Sequence, residues 1–264
     1  MRVQTGDNVG IGGFIVTGNA PKRVLLRAIG PSVTGVANTL ADPVLELHGQ
    51  GIPTVTNNNW KDDPVQQALI ESTGLAPTND LESAIYATLA PGAYTAVVRG
   101  NNNTTGVGLI EVYDLNATAG AKLGNISTRA LVGTGNDIVI AGFILGNNSN
   151  PTRLVVRGIG PSLTAFGVPS ALADPTLEVR NSSGTVVASN NDWQSDPAQA
   201  AELTAAGLAP TNSKESGIAL NLGPGQYTAL LSGVGGTTGV GVVEVYDRNA
   251  APAGTSGNRS SIKR

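Results

Sequence analysis

The sequence predicts an all-β protein built of two tandem β-sandwich modules of jelly-roll-like form, each with one short helix. Three observations predict it. The 264-residue chain matches itself over nearly its whole length, and it carries 35 Gly and 15 Pro against 4% aromatic residues. Its apolar residues also alternate with polar ones in short runs separated by turn residues, as in half-buried strands. A repeat of this length decides the fold class before any local reading does.

The repeat can be followed motif by motif. Gly13-Phe14-Ile15 recurs as Gly142-Phe143-Ile144, an offset of 129 (142 − 13). Arg27 to Ser32 (RAIGPS) recurs as Arg157 to Ser162 (RGIGPS), and Leu40-Ala41-Asp42-Pro43 as Leu172-Ala173-Asp174-Pro175. From Trp60 and Trp193 onward the offset is constant at 133 (193 − 60). It carries LAPTN from Leu75 to Leu208, Tyr94-Thr95 to Tyr227-Thr228, and Glu111-Val112-Tyr113-Asp114 to Glu244-Val245-Tyr246-Asp247. The insertions fall in Gly/Asn/Pro/Ser-rich stretches, where a surface loop lengthens at little cost. The modules expected are 1–126 and 127–264.

Within the first copy, alternation and turn residues mark strands near 11–16, 23–29, 43–48, 52–57, 82–89, 93–99 and 106–114, with a further strand at 126–132 between the copies. Residues 64–72 (PVQQALIES) read as the helix, with Asp63 as N-cap and Pro64 in the first turn; Asp196 and Pro197 repeat the signal. Tyr94 and Tyr227, shortly after Pro-Gly at a strand start, fit a tyrosine corner.

Composition narrows the partners. Charged residues make up 13% of the chain, about half the usual share. The formal net charge of −3 and the lack of Lys/Arg clusters leave no basic field for a nucleic acid. No apolar run approaches the ~20 residues of a membrane span, and the residues after Met1 lack a signal peptide's basic and apolar regions. The reading is a soluble chain, mature or excised. Zero Cys removes disulfides and thiolate chemistry together.

Two stretches carry a resemblance. QTGDNVGIGGFIVTGNAPKRVLLRAIGPS and LAPTNDLESAIYATLAPGAYTAVVRGNNNTTGVGLIEVYDL resemble a tandem β-sandwich repeat of large secreted bacterial proteins, mostly of unassigned function. The PGAYT and PGQYT strands are similar to those of bacterial pre-peptidase C-terminal domains, small calcium-associated β-sandwiches of secreted enzymes. The resemblance implies an extracellular or cell-surface location and a sandwich architecture, with no chemistry attached.

The search for chemistry returns little. His48 is the only histidine and its counterpart is Arg180, which removes Ser-His-Asp triads and most zinc hydrolase sites. Arg27 and Arg157 stand in the middle of apolar strands. Each is expected to be held by a carboxylate as a structural ion pair, Glu46 or Glu111 for Arg27 and Glu178 or Glu244 for Arg157, with a ligand clamp as the alternative. The Asn/Asp-rich stretches around Asn59, Asp62 and Asp63, and around Asp192 and Asp196, offer oxygen ligands for calcium. The same residues equally suit a turn that caps the next helix. Trp60 and Trp193 are the only tryptophans; they either plug one end of a sandwich or stack on a sugar face. No other cofactor is expected.

The chain ends suggest assembly. Gly257 to Arg264 reads like the inter-repeat linker Gly124 to Arg129, while the first copy has no counterpart of Ile126 to Arg129 ahead of it. If that segment is a strand, the first module has an open edge and residues 258–264 are a spare donor. Head-to-tail self-association into a filament or surface layer then follows. The expected function is a non-catalytic extracellular structural protein, with a calcium- or carbohydrate-binding module as the alternative.

Overall fold

Strand β3 (Lys22–Ile29) is buried on both of its faces, and that one property organises the whole unit around it. The computed structural model describes residues 1–116, 120–146 and 150–249. The chain divides into two units, Met1–Leu131 and Val132–Arg264.

In the first unit the order is β1 (Arg2–Val3), β2 (Gly10–Gly18), β3, β4 (Pro43–Gly49), β5 (Val55–Asn57), α1 (Pro64–Ser72), β6 (Ser83–Leu89), β7 (Gly92–Gly100), β8 (Gly106–Val107), β9 (Leu109–Asp114) and β10 (Ala121–Val132). One antiparallel sheet runs β10-β2-β7-β4-β5 and the other β6-β3-β9. The second unit has β11 (Val139–Leu145), β12 (Thr152–Ile159), β13 (Pro175–Asn181), β14 (Val186–Asn190), α2 (Pro197–Ala205), β15 (Ser216–Leu222), β16 (Gly225–Gly233) and β17 (Gly239–Asp247). Its sheets are β11-β16-β13-β14 and, by direct pairing, β15-β12-β17. The all-β, sandwich-like architecture is as the alternation predicted.

The main core of the first unit lies between the sheets. Phe14, Val16, Leu45, Leu47, Ala96 and Val98 meet Val24, Leu26, Ala28, Ile85 and Leu89. Leu25 faces the other way, where it packs with Trp60, Ile70 and Ala84 beneath α1. The helix thus covers the outer face of the three-stranded sheet, which is why β3 reads as Val-Leu-Leu without alternation. The second unit repeats this with Val155, Leu203 and Ala219 under α2.

The local signals explain the ends. Asp63 Oδ1 accepts from Val65 N at 2.8 Å and Gln66 N at 3.1 Å, and Asp196 Oδ1 accepts from Ala198 N at 2.9 Å and Gln199 N at 3.2 Å. Both helices therefore begin where an N-cap and a proline place them. Tyr94 donates its hydroxyl to Ala90 O at 2.8 Å and stacks on Phe14, with ring centroids 5.4 Å apart. Tyr227 does the same with Gly223 O at 3.1 Å and Phe143 at 5.6 Å.

Three expectations are corrected. The strand expected at 52–57 shortens to Val55–Asn57, because Gly51 turns the chain at φ +79° and Pro53 has no N–H to give a ladder. The strand expected at 106–114 breaks at Gly108 in the first unit but runs unbroken in the second. The boundary expected after residue 126 falls instead after Leu131. The reason is pairing: β10 lies antiparallel to β2, with Ala121 opposite Gly18, Asn125 opposite Ile15, Ser127 opposite Gly13 and Arg129 opposite Ile11. Residues 126–129 therefore complete the first module, which has no open edge at β2. The expected donor, 258–264, lies outside the described residues.

Candidate functional site

The mid-strand arginines sit in matched polar clusters. Arg27 and Glu111 face each other directly across β3 and β9. Arg27 Nε donates to Glu111 Oε2 at 2.7 Å, Nη1 to Leu75 O at 2.6 Å and Nη2 to the Tyr113 hydroxyl at 2.9 Å. That hydroxyl donates in turn to Glu111 Oε1 at 2.9 Å, and the guanidinium lies 5.0 Å from the Tyr113 ring centre. The second unit reproduces it: Arg157 Nε to Glu244 Oε2 at 2.8 Å, Nη1 to Leu208 O at 3.1 Å, Nη2 to the Tyr246 hydroxyl at 3.1 Å. Burial works most strongly against the Arg157 charge, yet the charges and hydrogen bonds of Glu244 and Tyr246 together outweigh it and raise the pKa. Burial first, then the Glu244 charge, pushes the Tyr246 phenol well above its ordinary value. Nε, Nη1 and Nη2 of each guanidinium are all engaged, so the clusters brace the sheet against the Leu75 and Leu208 loops.

Glu46 and Glu178 do not join these clusters. Glu46 pairs with Arg99 at 3.0 Å and His48 at 3.2 Å, and Glu178 with Arg180 at 2.6 Å. Strands β4 and β13 belong to the opposite sheets from β3 and β12, so their carboxylates lie beyond the arginines' reach.

The Asn/Asp loops close on themselves. Asp62 accepts from Asn59 N at 3.1 Å and from Asn59 Nδ2 at 3.4 Å. Asp63 and Asp196 are the helix caps, and Asp192 gives its carbonyl to Asn190 Nδ2 at 3.0 Å and Ser195 N at 2.9 Å. Among the expected calcium ligands, Asn59 alone offers a buried side-chain oxygen without a partner. Trp60 is 5% exposed in the core below α1 and donates Nε1–H to Asn79 O at 3.2 Å. Trp193, half-buried, donates to Asn212 O at 3.1 Å. A ring buried like Trp60 has no free face for a sugar.

A second polar centre carried no single-sequence signal beyond its repetition. Glu82 is fully buried. Its Oε1 accepts from Gly30 N at 3.2 Å, Ser32 N at 2.9 Å and Ser32 Oγ at 2.5 Å. Glu215 holds Gly160 and Ser162 in the same way. This clasp explains the RAIGPS and RGIGPS motifs, whose loops give their N–H groups to one carboxylate. Around Glu82, three segments converge on Ser83, whose single hydroxyl proton is shared between Pro43 O and Asn58 O, while Trp60 N donates to Glu82 O at 2.9 Å. Lys22, also missed, is fully buried and binds Asp114 Oδ2 at 2.9 Å and Asn116 O at 2.8 Å.

Among the described residues no helix is long and apolar enough to cross a membrane. The chain matches no family model and no curated protein. Among solved structures, PNGF-II in a C2 space group aligns with a TM-score of 0.23 at 11% identity, over 93% of this chain and 57% of that one. A likeness at that level carries no argument.

Proposed function

We propose that this chain is a non-catalytic structural protein of the bacterial cell exterior, made of sandwich modules that are linked and closed by strand donation. The observation that carries it is β10, the last strand of the first module, which fills that module's β2 edge. The exterior location draws on the resemblance of the repeat to those of large secreted bacterial proteins. The non-catalytic role draws on the matched arginine, glutamate and tyrosine clusters, whose groups are spent on one another in both modules.

The same device supplies a route for copies to associate head to tail. Strand β11 ends its sheet among the described residues, and Ile140 and Ile144 on it are 46% and 72% exposed. Their counterparts Ile11 and Ile15 lie beside β10 and are only half-exposed. A strand edge of unpaired N–H and C=O groups flanked by isoleucines is a template for another strand. At the constant offset of 133 (257 − 124), Gly257-Asn258 and Ser260 stand where Gly124-Asn125 and Ser127 stand in β10. The proposed acceptor is therefore β11 and its strand is residues 258–264, whose exchange from their own module to that of the next copy would link copies head to tail.

Light scattering and negative-stain electron microscopy on the full chain, and on a chain ending at Asn249, test this. Extended polymers from the full chain alone are expected. Single copies from both would overturn the assembly, and turnover in a screen of glycan substrates would overturn the non-catalytic role.

A further inference from the structure

A cavity of about 170 Å³ lies within the first module, lined by the turn from Gln4 to Val9 and by Arg99, Gly100, Asn103 and Thr104. Its frame is the same in both modules. Gly6 and Gly135 each turn at φ +62°. Thr104 Oγ1 donates to Asn101 O at 2.9 Å, and Thr237 Oγ1 to Val234 O at 3.0 Å. A Cβ on Gly100 or on Gly233 would strike the carbonyl of that threonine, so the two turns close equally tightly.

The side chains set on that frame differ. Gln4, Arg99 and Asn103 stand where the second module has Gly133, Ser232 and Gly236, at the repeat offsets of 129 (133 − 4) and 133 (232 − 99, 236 − 103). Asn102 and Asn103 hold left-handed φ angles of +52° and +60°, where Gly235 and Gly236 reach +62° and +77° without a Cβ. Left-handed backbone on a residue with a side chain costs strain, and such strain gathers at binding sites. The guanidinium and both amides at this cavity are thus confined to the first module.

We propose that this cavity binds a small carboxylate, with Arg99 as its anchor and the Gln4 and Asn103 amides as supporting donors. Arg99 Nε donates to Glu46 Oε1 at 3.0 Å, and Glu46 also lies 3.2 Å from His48 Nε2. That bond orients the guanidinium, and among the described residues neither Nη of Arg99 has a partner, nor do the side chains of Gln4, Thr5 and Asn103. Thr104 spends its hydroxyl proton on Asn101 O. The groups left over are mostly donors, and paired N–H donors on a planar cation match the two oxygens of a carboxylate. The volume is below the ~300 Å³ at which pockets for larger ligands begin, so the occupant is a small organic acid or the acidic ring of a sugar acid. The site uses neither β11 nor residues 258–264, and it is independent of the assembly proposed above.

NMR titration of the isotope-labelled full chain with glucuronate, acetate and glucose tests this, in about 0.15 M salt to screen unspecific attraction. Glucuronate or acetate should shift the side-chain resonances of Arg99, Gln4 and Asn103 with a dissociation constant on the order of 1 mM, and leave Ser232 and Gly236 unmoved. Acetate binding as well as glucuronate assigns the site to free acids, and glucuronate binding alone assigns it to sugar acids; either sustains the proposal. Glucose should do nothing, and shifts from glucose as strong as those from glucuronate would overturn the carboxylate. Arg99→Gln should weaken binding by about tenfold or more. Asn103→Gly, which copies the turn of the second module, should weaken it about threefold without lowering the melting temperature. No shift with either acid up to about 50 mM, or unchanged affinity in Arg99→Gln, would overturn the proposal.

Discussion

Truncating Arg27 to alanine should destabilise the first module by about 3 kcal/mol, and the structure shows where that number arises. The Arg27 and Glu111 side chains are 16% and 22% exposed, so the pair is mostly buried. Removing one partner of a buried pair costs about 3–5 kcal/mol, because the remaining charge stays desolvated. Glu111 would keep its bond from the Tyr113 hydroxyl, which draws the cost to the lower end, while Leu75 O would lose the Arg27 donor. With a urea m-value of about 1.5 kcal/mol/M for a unit of this size, the midpoint should fall by about 2 M. Each module holds one tryptophan, so Trp193→Phe and Trp60→Phe backgrounds report the two unfolding transitions separately by fluorescence. The transition read by Trp60 should move and the one read by Trp193 should not. Replacing the pair together, Arg27→Met with Glu111→Leu, should recover most of the loss, since apolar residues of similar volume leave no charge stranded. A loss below about 1 kcal/mol for Arg27→Ala, the level of a surface pair, would refute the claim that this cluster braces the sheet.

Further outcomes follow from the same geometry. Lys22→Met should cost about 2–3 kcal/mol by urea denaturation, as Asp114 and Asn116 O lose their buried partner; its counterpart Thr152 needs no such pair. Asp63→Ala and Asp196→Ala should each cost about 1 kcal/mol, the worth of an N-cap, and Asp→Asn far less. Gly13→Ala should cost little beyond turning the Ser127 hydroxyl aside, because Ser127 Oγ is the one atom a Cβ there would crowd, and at Gly142 the nearest atom is Tyr227 O at 3.9 Å. Gly142→Ala should leave unfolding unchanged yet reduce association of copies in light scattering. Burial raises the phenol pKa of Tyr94, Tyr113 and Tyr246. A folded protein that holds phenolic protons to higher pH than the unfolded chain is at full strength below the ordinary tyrosine pKa of about 10 and weakens as pH climbs through the window above it. Absorbance titration near 295 nm should find these tyrosines ionising later than free tyrosine, together with loss of the fold.

Much of the fold was legible because its cues are local. Period-2 alternation marks strands, Asp63-Pro64 and Asp196-Pro197 mark helix starts, and the tandem matches require two copies of one unit. The partner of Arg27 was not legible. Alternation says which face a side chain takes but not which strand lies alongside, so Glu46 and Glu111 were equal until β9 proved to be β3's neighbour. The Glu82 clasp was not legible either, since Ser32 and Glu82 lie 50 positions apart (82 − 32) and nothing in either segment announces the other.

The sequence by itself thus determined the strand-rich class, the duplication, the helix caps and the tyrosine corners, all set by backbone preferences and spacing within a few residues. Only the tertiary structure decided that residues 121–129 close the first module, that Trp60 is walled in below α1, and that the buried Glu82 carboxylate clasps the Gly30–Ser32 loop. Those outcomes depend on which distant segments share a sheet edge or a buried corner. That choice is made by packing the whole unit against the cost of stranding its polar groups.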